Sequence, residues 1–113
     1  MKIVDRKTFL GMSENTVFSK YSPHYFSELM IKGESWDEDF LYQKIVDAIE
    51  SEDSYDFLNK IDNTAKDGSS LKMDFDCLSR DGLFDEGQLF AIWGKDDVLA
   101  LIKRLKRCIK KVK

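Results

Sequence analysis

The chain has little of what breaks or staples a fold: its 113 residues include one proline, six glycines, two cysteines and one histidine. With so few breakers, each one marks a boundary. Cys77 and Cys108 stand alone with no Cys-x-x-Cys pair, which excludes a zinc knuckle or a disulfide framework and predicts buried thiols in a reducing, cytoplasmic compartment. His24 is the sole histidine, and a histidine-dependent triad would need an orienting acid and a nucleophile that no pattern here supplies. No apolar run approaches the ~18 residues of a membrane span, and Met1-Lys2-Ile3-Val4-Asp5-Arg6 turns polar too soon for a secretory leader. Phosphate-loop, dinucleotide-binding and nucleophile-elbow patterns are absent. The expectation is one cytoplasmic domain over residues 1–113, not an enzyme, with no cofactor, no metal and no membrane contact.

What the chain does have is apolar mass and segregated charge. Hydrophobic residues make up 42% and include two Trp, four Tyr and eight Phe, enough to bury a core and to argue against disorder. The formal net charge of −3 conceals a dipole: residues 34–67 carry eleven acids against three lysines, a net of −8, while residues 95–113 carry eight bases against two acids, a net of +6. Such halves either neutralise each other, within a molecule or between copies, or face partners of opposite sign. Docking of the basic end on the acidic middle of another copy predicts a homodimer that salt weakens.

The pattern predicts an α+β fold. Asp5 caps a short helix with Phe9, Leu10 and Met12 on its apolar side, ended at Gly11. Thr16–Tyr21 and Phe26–Lys32 read as strands joined by the hairpin connection Ser22-Pro23-His24-Tyr25. Ser35-Trp36-Asp37-Glu38 fits a capping box, predicting a helix from Asp37 with Phe40, Leu41, Ile45, Ala48 and Ile49 at helical spacing. A second helix runs from Ser54 to about Lys66, closed by Asp67-Gly68. Leu71, Met73, Phe75 and Cys77 alternate with charged residues as a half-buried strand, Gln88–Trp93 reads as an inner strand, and a last helix starts at Gly94-Lys95-Asp96-Asp97. Leu29–Leu41 and Leu89–Leu99 share the order strand, glycine, acidic helix start, which suggests a hairpin–helix unit used twice. The predicted architecture is a small antiparallel sheet of about four strands from two hairpins, with helices packed on one face and a C-terminal amphipathic basic helix.

Three surfaces are candidates for function. The acidic one comprises Asp47, Glu50, Glu52, Asp53 and Asp56, with Tyr55 as an aromatic anchor; carboxylates on a helix can occupy a cationic groove, while lasting affinity needs an aromatic or arginine anchor. Its bland reading is a solvated helix face. The hairpin tip, with Tyr21, His24 and Tyr25, offers aromatics on a turn, against the alternative that they pack under the hairpin. The basic surface, Lys103, Arg104, Lys106, Arg107 and Lys110, could contact nucleic acid or a small anionic ligand, although no aromatic is interleaved for base stacking. The loop Arg80–Glu86, with Phe84, is a further contact candidate. Asp74 and Asp76 on one strand face could hold a cation, but the acids of a calcium-loop pattern are missing.

The opening Met1–Leu10, the segment Thr16–Tyr21 and the run Arg80–Phe90 together resemble a family of small accessory proteins of bacteriophages and prophages. The resemblance carries over no functional residues. It implies a context in which small proteins without enzyme motifs bind host factors, among them inhibitors of CRISPR effectors and proteins that sequester nucleotide signals. The function expected is therefore a non-enzymatic binding protein that inhibits a host or defence complex through a charged, partly acidic surface. The alternatives are a sponge for a small anionic nucleotide and a nucleic-acid-associated protein using the basic helix.

Overall fold

In the computed structural model, which describes residues 1–110, the chain is mixed helix and strand around an antiparallel sheet. Strand β1 (Lys2–Val4) leads into helix α1 (Arg6–Leu10), whose cap is the expected Asp5: its carboxylate accepts from the Thr8 amide at 2.8 Å. Strands β2 (Val17–Ser22), β3 (Tyr25–Phe26), β4 (Met30–Trp36) and β5 (Asp39–Lys44) follow. Then come helix α2 (Ser54–Asp67), strands β6 (Ser79–Arg80) and β7 (Leu89–Ile92), and helix α3 (Lys95–Lys110). The strand order is β1-β7-β2-β4-β5-β6, with β3 paired to β2 beside β4. The sheet thus has seven strands, not about four. The inner position expected for Gln88–Trp93 holds: β7 lies between β1 and β2.

Of the extra strands, β1 and β6 lie in segments to which no strand was assigned, the expected strand Phe26–Lys32 divides into β3 and β4, and β5 arises where a helix was expected. Asp37 and Glu38 adopt φ of 43° and 62°, and both lie between paired strands, with Trp36 opposite Asp39 and Ser35 opposite Phe40. Two successive left-handed residues make the two-residue turn whose twist suits a hairpin. Phe40, Leu41 and Tyr42 therefore extend as β5, and the apparent capping box is a hairpin corner. The hairpin also contains a bulge between Lys32 and Ser35, where a Cβ on Gly33 would lie 3.0 Å from the Leu41 Cβ, so a larger residue would have to push Leu41 aside by a few tenths of an ångström. The suggested repeat dissolves with it, since Leu29–Leu41 forms a hairpin and Leu89–Leu99 a strand and helix. The expected strand 71–77 forms no regular element.

One face of the sheet closes over α1. Phe9, Phe18, Phe40 and Phe90 are fully buried with Met30 and Ile92, and the Phe9 and Phe90 rings stack at 4.0 Å. Lys32 joins this core at 2% exposure. Its ammonium donates to the Gly33 carbonyl at 3.0 Å and lies 5.6 Å from the centre of the Phe9 ring; burial pushes its pKa down. Helices were expected on one face, but among the described residues only α1 contributes buried side chains. Helix α2 buries none, and on α3 every residue from Ile102 to Ile109 is exposed. Helix α2 does end as expected, with Gly68 at φ 70° and its amide on the Thr64 carbonyl.

Candidate functional site

The segment Ser79–Gly82 crosses the sheet edge and sends neighbouring side chains to opposite sides, as strand alternation requires. Asp81 points to the α1 side, where its carboxylate meets the Lys20 ammonium at 2.7 Å and the Arg6 guanidinium at 3.7 Å. Its side chain is 2% exposed and that of Arg6 7%. Arg6 also donates to the Glu38 carbonyl at 2.7 Å. One buried cluster thereby ties α1, β2, the β4–β5 turn and the loop after β6 together.

Arg80 points the other way. Its Nε donates to the Asp39 carboxylate, which also accepts from the Gly82 amide at 3.0 Å and the Phe40 amide at 2.9 Å. Burial disfavours the charged form of Asp39, but these donors and the positive charge of Arg80 outweigh it and hold its pKa below the usual carboxylate range. The guanidinium sits 5.9 Å from the centre of the Trp36 ring and 5.6 Å from that of Phe84. Both rings are exposed, as are Arg80 and Leu83. Phe84 has φ 52°, an unusual conformation for a bulky residue. It also lines an open cavity of about 510 Å³ with Arg6, Lys7, Leu10, Glu38 and Glu86. Asp37, Glu38, Asp85 and Glu86 are exposed around this centre. Exposed Trp36 and Phe84 beside an arginine fixed by a buried carboxylate, with exposed acids on the flanking turns, have the composition of a protein-binding hot spot: anchors at the centre and charge at the edge.

The expected surfaces are distributed elsewhere. Glu50, Glu52, Asp53 and Tyr55 are exposed, Tyr55 to 75%, while Asp47 and Asp56 are half-buried. Two of these acids serve the fold: Asp53 caps α2 by accepting from the Asp56 amide at 2.8 Å, and Asp56 accepts from the Glu52 amide at 3.0 Å and pairs with Lys60 at 3.3 Å. Reversing either charge would therefore disturb the start of α2 as well as the surface. At the hairpin tip, Pro23-His24 forms a two-residue turn between Ser22 and Tyr25, with His24 at φ 65°. The Tyr21 ring packs on Phe26 at 5.1 Å and its hydroxyl accepts from the His24 amide, while Tyr25 is 65% exposed. Lys103, Arg104, Lys106 and Arg107 are exposed on α3, and the side chain of Lys110 lies outside the described residues. Among the described residues, no ion pair links α3 to residues 45–67. The Asp74 carboxylate accepts from the Asp76 amide in a turn, not on a strand face.

Sequence reasoning singled out Arg80–Glu86 and missed Trp36, which it had placed in a helix start; the Arg80–Asp39 pairing spans 41 residues and leaves no local signal. The chain matches no family model, no curated protein and no solved structure. No helix among the described residues is long and apolar enough to cross a membrane.

Proposed function

We propose that this chain is a non-enzymatic binding protein that engages a host or defence protein complex through the patch of Trp36, Arg80 and Phe84, and inhibits it. The observation that carries the reading is the Arg80 guanidinium held between two exposed aromatic rings while bonded to a buried carboxylate. A fixed arginine loses little freedom on binding, so its contacts convert into affinity. The rim of Asp37, Glu38, Asp85 and Glu86 supplies the acidic character expected of the contact surface and favours a cationic partner site. The inhibitory, anti-defence role rests on the resemblance to phage accessory proteins.

The test is capture from host lysate with the wild type and with Trp36→Ala/Phe84→Ala, identified by mass spectrometry, beside a defence-interference assay in cells. Loss of one captured complex and of the interference phenotype with the double variant, at unchanged circular dichroism, supports the reading. Equal capture by both proteins overturns it. Nucleotide binding in isothermal titration would favour the sponge, and a salt-dependent duplex shift lost on replacing Lys103 and Arg107 would favour the nucleic-acid role.

A further inference from the structure

Helices α2 and α3 carry apolar residues that this molecule does not cover. On α3 the apolar positions Val98, Leu101, Ile102, Leu105 and Ile109 fall on one stripe. Exposure along it rises from 42% at Ile102 to 51% at Leu105 and 67% at Ile109, so the helix leaves the body as it proceeds. Lys103, Arg104, Lys106 and Arg107 occupy the rest of the circumference. On α2, Phe57, Ile61 and Thr64 are half-buried toward the body, while Tyr55, Leu58 and Ala65 face outward. Glu50 and Glu52 stand exposed just before that face and Asp62 lies within it. Residues 47–67 hold seven acids against two lysines, whereas residues 95–110 hold six bases against two acids.

The whole-molecule dimensions agree with two uncovered helices. The exposed area is 8420 Å², where a compact chain of this mass would expose about 6,400 Å². The radius of gyration is 16.0 Å, against about 13 Å for a compact domain of this length. A standard protein interface removes about 800 Å² from each partner, so the surplus area is large enough for one.

We infer that the protein forms a two-fold dimer in which α3 of each copy lays its apolar stripe on the outer face of α2 of the other. The apolar contact is Ile102, Leu105 and Ile109 against Tyr55, Leu58 and Ala65, and the flanking charges pair Lys103, Arg104, Lys106 and Arg107 with Glu50, Glu52 and Asp62. Packing α3 against its own copy would instead bring two basic helices together, while the acidic surface that complements them is on the same chain. The inference is separate from the proposed function, because it uses neither Trp36, Arg80 nor Phe84. It gives the exposed acids of residues 50–62 a partner within the homodimer.

A charge exchange tests it, read by analytical ultracentrifugation with circular dichroism as the control for folding. One variant carries Lys103→Glu, Arg104→Glu, Lys106→Glu and Arg107→Glu; the other carries Glu50→Lys, Glu52→Lys and Asp62→Lys. The wild type is expected to sediment as a dimer at low ionic strength and to dissociate toward monomer as salt is added. Each variant alone should be a monomer, and an equimolar mixture should recover the dimer, since both contacts are again complementary. Leu105→Ser/Ile109→Ser should be monomeric at every salt concentration. A monomeric wild type at low salt overturns the inference, including one that instead pellets with anionic vesicles. So does a second variant that still dimerises alone, because α3 would then be packing on α3, and so does a mixture that stays monomeric.

Discussion

Removing the Asp81 carboxylate would leave Arg6 and Lys20 facing each other without their shared counter-charge, with Arg6 almost closed to solvent. Breaking a buried pair in this way costs about 3–5 kcal/mol. Asp81→Ala is therefore expected to lower the urea midpoint steeply, whereas replacing the exposed Glu86 by Ala should change the unfolding free energy by no more than about 0.5 kcal/mol. Asp39 makes a different prediction. Its folded pKa is depressed, so the stability contributed by the ionised carboxylate is complete above its unfolded pKa near 4 and is lost as pH falls through the lower folded value. Denaturation midpoints followed from neutral pH downward should show a steeper acid loss for the wild type than for Asp39→Asn. The variant should itself be weaker at pH 6 by about 1–3 kcal/mol, having lost its charged hydrogen bonds.

The β4–β5 turn is the element most at odds with its own residue types, because Asp37 and Glu38 both hold left-handed backbone where asparagine and glycine are preferred. Substituting Asp37→Asn with Glu38→Gly should stabilise the protein by about 1 kcal/mol in thermal melts, since the Arg6 bond goes to the Glu38 backbone oxygen and survives the change. The same turn explains what could be read in advance. Elements governed by local chemistry were legible: the Asp5 cap, the Gly68 stop, β2, β7 and the amphipathic α3. The β4–β5 hairpin was not, because Asp-Glu is a poor turn signal and Ser35-x-x-Glu38 satisfies a helix rule. Strand β5 then hid behind helical spacing of Phe40, Leu41 and Ile45, although its outward residues Asp39 and Gln43 are buried by partners 30 or more residues away. The candidate patch shared that fate in part: its loop was visible, while Trp36 and the clamp on Arg80 depend on the unseen hairpin.

On the scale of the whole molecule, apolar burial is uneven. Between Ile45 and Leu78 only Ala48 is fully buried, and the excursion is fastened to the sheet by Lys44, which pairs with Asp47 at 3.4 Å and lies 5.7 Å from the centre of the Phe57 ring, and by Gln43. This buried side chain accepts from the Cys77 amide at 2.7 Å and donates to the Asp74 carbonyl at 3.1 Å, while the Asp74 amide meets the Ala48 carbonyl at 2.7 Å. Contacts that few give a segment its own opening equilibrium. Native-state hydrogen exchange should therefore divide the amides into two classes: those of β2 and β7 should open only with global unfolding, and those of α2 through a cheaper sub-global event. Gln43→Ala should accelerate exchange across residues 54–67 at least tenfold more than across β7, equivalent to about 1.4 kcal/mol. A partner seated on α2 would suppress that opening, so exchange protection of this one helix would register assembly before any change in the sheet.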